Sequence, residues 1–555
     1  MYCSLVLLLT SLGICSATCS NLSSTPTVHL DNATFHGTFD GVANRFLGIP
    51  FAKPPTGDLR FRLPVPNSPY SGDISVTEFG SACPQQLTNA TIPNTLPKNV
   101  SDIITGLTSR IFSRRPGNED CLFLNVFVPP LANPGSNLPV VAWIPGGGFE
   151  IGTASETTFN GTAIIERSLQ LGEPVIYVSL NYREAFGFLP GKEVKSAGVG
   201  NLGLQDQRQA LRWIQTYIRA FGGDPTRVTL WGQSAGAVSV ALQLFAYDGN
   251  TEGLYRGAIM QSGTHIPYGD IADGQQYYDA LIQQTGCSNA TDTLACLREV
   301  PYEQLMIAIN TSPSIISYQS IVLAWVPRAD GVFLPTPFQR ALLEGKVANV
   351  PLITGDVDDE GSIFSIAALN VTTDEDFQNY VYTVFFPDAS QEEIHTLAEL
   401  YPEDPALGSP FDTGLEGAFT PQYKRISAFI GDLTFEGPRR LFSQLLSERQ
   451  KVWSFAFKRN KTATPFGTQH GADLRVVYGP GDLTDNVVNF VNHLDPNGLH
   501  VDRGGIEWPR YTKSSPKLLC FGDGSEPQTI IDDTFRSESI ALLTNLSLVH
   551  PLGGQ

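Results

Sequence analysis

Four short runs constrain this chain more than any other feature: Val140-Val141-Ala142-Trp143-Ile144, Val175-Ile176-Tyr177-Val178-Ser179, Arg227-Val228-Thr229-Leu230-Trp231 and Pro351-Leu352-Ile353-Thr354. They are β-branched or aromatic, lack clean polar alternation, and end abruptly in Gly- or Asp-rich turns. A strand with one wet face alternates, whereas a continuous apolar strand is covered on both faces, as in a parallel sheet lined by helices. Between two of them, Leu204 to Phe221 places Leu204, Leu211, Ile214 and Ile218 at helical spacing and stops at Gly222-Gly223-Asp224-Pro225. Strand, helix and strand in alternation predict an α/β fold with a large, mostly parallel central sheet. Upstream, Pro54-Pro55, Pro64 and Pro66 punctuate shorter strands, expected to form an antiparallel edge. Helical patterns dominate from Thr372 to about Gln450, and Val452-Trp453-Ser454-Phe455-Ala456-Phe457 returns as a late strand.

With 42% hydrophobic and 16% charged residues over 555 positions, the chain can bury a substantial core, which excludes disorder. A prior of about 150 residues per domain suggests several domains, but no stretch reads as a flexible linker. One large domain over residues 18–555 is therefore expected. The net charge of −19 repels phosphate backbones and anionic headgroups, so nucleic acid is excluded as a partner.

Residues 1–17 read as a secretory signal: the apolar run Leu5-Val6-Leu7-Leu8-Leu9 precedes small residues at Cys15-Ser16-Ala17, without a Lys or Arg ahead of it. The run falls far short of the roughly 20 residues that span a bilayer, so no transmembrane anchor is expected and the mature chain is expected outside the cell. Asn-x-Ser/Thr sequons such as Asn32 and Asn545 suit that route. Beyond the signal, six cysteines show no CxxC, which disfavours thioredoxin-type redox chemistry and zinc ribbons. Proximity pairs Cys83 with Cys121 and Cys287 with Cys296, closures worth roughly 4 and 3 kcal/mol in chain entropy. Cys19 and Cys520 are left open.

The sharpest local feature is Gly232-Gln233-Ser234-Ala235-Gly236, between a predicted strand and a segment, Ala237 to Leu244, that can be helical. In so Gly-rich a chain a G-x-S-x-G pentapeptide arises by chance about 0.4 times, so its weight comes from the strand–turn–helix context. Small flanking residues permit a strained turn that presents the hydroxyl beside a helix N-terminus. A nucleophilic serine also needs a base, an acid to orient it and donors for the developing oxyanion. Gly146-Gly147-Gly148 follows one apolar run and can bring bare N–H groups close to a substrate oxygen. A later run leads into Gly355-Asp356-Val357-Asp358-Asp359-Glu360-Gly361, a turn rich in acids. His395, His470, His493, His500 and His550 follow it. His395 sits in a helical pattern and His470 in a Gly-flanked loop after the late strand, where a catalytic histidine belongs; spacing leaves the other three open.

Taken together, Gly48-Ile49-Pro50-Phe51-Ala52, Glu119-Asp120-Cys121-Leu122-Phe123-Leu124-Asn125, Gly146-Gly147-Gly148-Phe149, Asn201-Leu202-Gly203-Leu204-Gln205-Asp206-Gln207, Gly232 to Gly236 and Asp359-Glu360-Gly361 resemble the type-B carboxylesterase/lipase family. The resemblance covers nearly the whole mature chain. The Cys83 to Cys121 segment and Phe149-Glu150-Ile151-Gly152 bring it nearest to secreted fungal lipases. It implies an α/β-hydrolase fold, with Ser234 as nucleophile, Glu360 as acid, His470 as base, and Gly147, Gly148 and Ala235 as oxyanion donors. No metal or organic cofactor is implied. Two departures stand out: Gln233 occupies a position usually held by Glu, and Pro145 one usually aromatic or His. Ser262 in Gln261-Ser262-Gly263 resembles a family serine near the base, though a plain strand-end turn reads equally well.

In the family, the disulfide-bounded segment is the lid of the fungal lipases. Here Val100, Ile103, Ile104, Leu107 and Ile111 fall on one face of a predicted helix, with Ser101, Asp102, Ser109 and Arg110 opposite. A helix packed permanently on the core reads almost as well. The segment lacks the Trp with which cholinesterases bind a cationic substrate. The expectation is a secreted serine hydrolase of fatty-acyl esters that meets a lipid interface through apolar contact. The alternatives are a carboxylesterase for small soluble or secondary-metabolite esters and, remotely, a non-catalytic hydrolase-like binding protein. Acyl preference and oligomeric state lie beyond the sequence.

Overall fold

The apolar runs become strands buried on both sides. The structure, a computed structural model, describes residues 25–87, 98–111, 117–156, 159–498, 506–525 and 527–553; the signal segment falls outside them. Strands run in chain order as β1 (Thr27–Leu30), β2 (Asn32–His36), β3 (Thr38–Phe39), β4 (Asn44–Pro50), β5 (Ser71–Ser75), β6 (Phe123–Val128), β7 (Leu138–Ile144), β8 (Ile176–Leu180), β9 (Gly223–Gln233), β10 (Gly257–Gln261), β11 (Leu352–Val357), β12 (Val452–Phe457), β13 (Lys517–Phe521) and β14 (Gln528–Asp532). Among the described residues eleven of them form one sheet, in the order β14-β13-β12-β11-β10-β9-β7-β8-β6-β4-β3. From β13 to β8 neighbours are parallel. The flanking pairs β14 with β13, β8 with β6, β6 with β4 and β4 with β3 are antiparallel. The expected antiparallel N-terminal edge is present, extended by a small sheet, β1-β2-β5.

Successive side chains of a strand point to opposite faces, and here both faces are cores. In β7, Val140, Ala142 and Ile144 enter one apolar cluster while Val141 and Trp143 enter the other. In β12, Val452 and Ala456 divide likewise from Trp453, Phe455 and Phe457. That division is why the runs showed no polar alternation. The helix predicted from Leu204 spans Leu202–Tyr217 and tightens into a 3₁₀ turn, Ile218–Phe221, closed by Gly222 at φ +90°.

One expectation needs correction. The strand expected to end near Thr354 continues through Gly355 and Asp356 to Val357. Asp356 tolerates this buried position because Arg439 Nε donates to it at 2.8 Å, and Gly355 leaves room for the ring of Phe455. The helix expected between Cys83 and Cys121 forms at Lys98–Ile111, with Ile104 buried and Ile103 44% exposed. Both expected disulfides, Cys83–Cys121 and Cys287–Cys296, are present; Cys520 is buried and has no disulfide partner among the described residues, and Cys19 lies outside them. Among the described residues no helix is long and apolar enough to cross a membrane.

Candidate active site

The C-terminal ends of four parallel strands, β7, β9, β11 and β12, lead into the segments that carry the candidate residues, as expected for ligand sites of α/β sheets. Ser234 follows β9 directly and precedes the helix Ala235–Gly249. Its backbone sits at φ +57° and ψ −130°, a strained conformation for a side chain-bearing residue. The turn is held by surroundings that allow no relaxation: Ser234 N–H donates to Gln261 O at 2.9 Å, and a Cβ on Gly236 would lie 2.0 Å from Ile144 O. Within Trp231 to Ala235 only Ser234 is not buried. The helix N-terminus behind it supplies a positive end.

Beyond β7, the chain turns at Gly147 (φ +130°) and Gly148 (φ +66°). A Cβ on Gly147 would stand 1.9 Å from Ile151 O, so the turn closes only with glycine. Its carbonyl accepts from Glu150 N at 3.1 Å and Ile151 N at 3.0 Å. Among the described residues, the Gly147 and Gly148 N–H groups meet no acceptor, while Ala235 sits at the first helical position, where the N–H has no intrahelical partner. Glu150 Oε2 ties the turn to the segment across from it by accepting Ile315 N–H at 3.0 Å. Burial pushes the Glu150 carboxyl up to about 8, against the lowering by that bond.

The acid-rich stretch separates into four environments. Asp356 faces Arg439, and Asp358 faces Lys458 and Lys461. Asp359 accepts Thr468 N–H and Phe411 N–H, each at 2.8 Å, and Lys461 Nζ at 2.6 Å. It thereby ties the turn after β11 to the loop after β12. Glu360 is the member that reaches a histidine: its Oε2 makes a close contact with His470 Nδ1, while its Oε1 accepts Val357 N–H at 2.8 Å. The remaining candidates go elsewhere. His395 is exposed beside Glu399, His493 contacts Glu173 at 3.0 Å, and His550 lies 3.9 Å from Glu393. His500 lies outside the described residues.

With Nδ1 engaged by a carboxylate, the hydrogen-bond network assigns the neutral ring's proton to Nδ1 and its lone pair to Nε2. That Nε2 faces Gln233 Nε2 at 3.3 Å, and no Ser234–His470 hydrogen bond is present among the described residues. Catalytic hydrogen bonds commonly tighten only once substrate is in place. The rings of Phe364 and Phe435 pack on His470 at 5.1 and 4.9 Å. Burial lowers the imidazole to about 4, opposed by Asp473 three residues on. Burial raises Glu360, opposed by Ser262 and the Val357 amide and reinforced by Asp473 and Glu436. The Ser262 hydroxyl is buried and has no hydrogen-bond partner among the described residues. Gln233 stood out in the sequence as a departure from the family, whereas Asp473 and the two phenylalanines gave no signal there as neighbours of His470.

The sequence profile of the carboxylesterase family matches residues 24–538. The chain belongs to the carboxylesterase family. It is 41% identical over 512 residues to "Lipase 4" of Diutina rugosa, covering 89% of this chain and 91% of that one. It is 38% identical over 531 residues to a secreted triacylglycerol lipase of Gibberella zeae, covering 92% and 89%. Among solved structures, Aspergillus niger EstA superposes with a TM-score of 0.79 at 28% identity, covering 95% of this chain and 99% of that one. The protein is thus a carboxylic ester hydrolase with the α/β-hydrolase fold.

Proposed function

We propose that this carboxylesterase-family protein is a secreted lipase that cleaves fatty-acyl esters through an acyl-enzyme on Ser234. The observation that carries the chemistry is the contact of buried Glu360 with His470, joined across two loops beside the strained turn that presents Ser234. His470, held by Glu360, takes the Ser234 proton as the hydroxyl attacks the ester carbonyl. The N–H groups of Gly147, Gly148 and Ala235 stabilise the oxyanion, where loss of one donor typically costs about 10²–10³ in rate. The alcohol leaves with the proton from His470, and water, activated by the same base, releases the acid.

The lipase assignment draws support from the names of the relatives and from the helix Lys98–Ile111 within the Cys83–Cys121 loop, with Ile103 facing solvent. That helix acts as a lid whose apolar residues meet the lipid surface. The net charge of −19 makes that encounter apolar rather than electrostatic. Residues 1–17 are removed on secretion, and residues 18–555 form one catalytic unit. A second reading, hydrolysis of small soluble esters, is favoured by the resemblance to EstA and to a PNB esterase, which superposes at a TM-score of 0.73 with 26% identity. Rates across acyl lengths, with triglyceride emulsions above and below substrate solubility, separate the two. A rate rise at the interface supports the lipase, and its absence with preference for short acyl chains overturns it.

A further inference from the structure

Gln233 is almost fully buried at the end of β9, and its side chain reaches the nitrogen that must accept the nucleophile's proton. Its Nε2 lies 3.3 Å from His470 Nε2, and it would lie 3.8 Å from a Cβ on Gly471, so it is held beneath the histidine loop. A carboxamide N–H donates to a neutral imidazole's lone pair. It offers nothing to an imidazolium N–H unless the amide turns over to present its oxygen. A carboxylate in the same place would do the reverse, accepting only from the protonated ring.

The other charged groups around His470 act from other directions. Glu360 engages Nδ1. Asp473, three residues on, is buried and accepts Gln261 Nε2 at 2.6 Å. Behind Glu360 stand Glu436 and Asp356, both paired with Arg439 at 2.6 and 2.8 Å. On the ring faces are the apolar side chains of Phe364 and Phe435. The Nε2 side therefore presents an uncharged donor in a site otherwise rich in carboxylates.

We propose that Gln233 is a positioning residue for the base: its carboxamide holds His470 in the neutral tautomer and extends ester cleavage into acidic medium. This rests on the assignment of Ser234 and His470 as nucleophile and base. Substrate entry replaces the amide contact with the Ser234 hydroxyl, so the device acts on the free enzyme and belongs in the pH dependence of kcat/KM.

The test is the pH profile of kcat/KM on a short p-nitrophenyl ester for wild type and Gln233→Glu, paired with the pH dependence of fluorophosphonate labelling. The wild-type acid limb is expected below about pH 5.5, under the ordinary histidine value. A carboxylate at position 233 stabilises the imidazolium and is expected to move that limb up by about one to three units. At pH 5 the variant, normalised to its own plateau, then loses about tenfold or more. Coincident limbs in a folded, labelled variant overturn the role of Gln233. So does a wild-type limb at or above about pH 6.5, a measurement that stands even if the variant does not fold. Absence of labelling and hydrolysis at every pH would instead overturn the nucleophile assignment itself.

Discussion

Gly147 and Gly148 are adjacent, yet the structure assigns their side-chain-free backbones different necessities. A methyl group on Gly147 would lie 1.9 Å from Ile151 O, at φ +130°, where L-residues are rarely found. Neither party can yield without opening the turn, because Ile151 N and Glu150 N both hold the Gly147 carbonyl. Gly147→Ala should displace at least one oxyanion donor and cost about 10²–10³ in rate, or about 2.7–4 kcal/mol of transition-state stabilisation. A methyl on Gly148 meets only Ile315 Cδ1, at 2.8 Å, the far end of a rotatable side chain. Its φ of +66° is the left-handed region, which costs an L-residue about 1–2 kcal/mol. Gly148→Ala should therefore fall by about tenfold or less. The assay is steady-state hydrolysis of a soluble p-nitrophenyl ester, with thermal unfolding to verify the fold, and the loss should sit in kcat because the donors act on developing charge. Gly147→Ala within about threefold of wild type, or less impaired than Gly148→Ala, would refute the geometry.

Other perturbations follow from the same structure. Replacing Cys83 and Cys121 by serine should lower stability to urea by about 4 kcal/mol, since the bridge spans 38 residues; an unchanged midpoint would count against it. Arg439→Ala leaves Asp356 and Glu436 buried without their cation and Asp533 with Arg440 alone, and should cost about 3–5 kcal/mol in equilibrium unfolding. Burial alone would raise Asp533, but Arg439 and Arg440 pull it well below the usual carboxylate range. Its contribution to stability is present above the ordinary carboxylate value and lost as pH falls through its folded value. Glu150 has the opposite sign. With its folded pKa at about 8, native protein holds a proton the unfolded chain releases above about pH 4.5, so stability falls as pH rises between the two. Glu150→Gln should therefore stabilise increasingly over that range, by at most about 4 kcal/mol at pH 8 and by nothing at pH 4, as read by thermal melts.

The strands were legible because burial on two faces writes itself as uninterrupted apolar sequence; β12 begins and ends at the predicted residues, Val452 and Phe457. Ser234 was legible because a tight strand–turn–helix junction needs glycines at fixed offsets. Choosing among Asp356, Asp358, Asp359 and Glu360 was another matter. One of these acids lies inside a strand and two meet lysines, and local spacing cannot say which carboxylate reaches a histidine 110 positions later. Family resemblance supplied Glu360, and the structure brings it to His470. Asp359's bonds to Thr468 and Phe411, Gln233's approach to His470 Nε2 and the aromatic rings around His470 are tertiary contacts without periodic trace. Ile103 marks a limit of periodicity: helical spacing gave its face, but whether that face is buried depends on what lies opposite.

Rapid acid quench followed by mass mapping tests the proposed acyl-enzyme at Ser234 directly. Wild type mixed with a p-nitrophenyl ester should yield the Ser234 peptide heavier by one acyl group, in a burst stoichiometric with enzyme, and Ser234→Ala should show neither acylation nor turnover while remaining folded. Acylation of a different residue, or ester hydrolysis undiminished in Ser234→Ala, would contradict it.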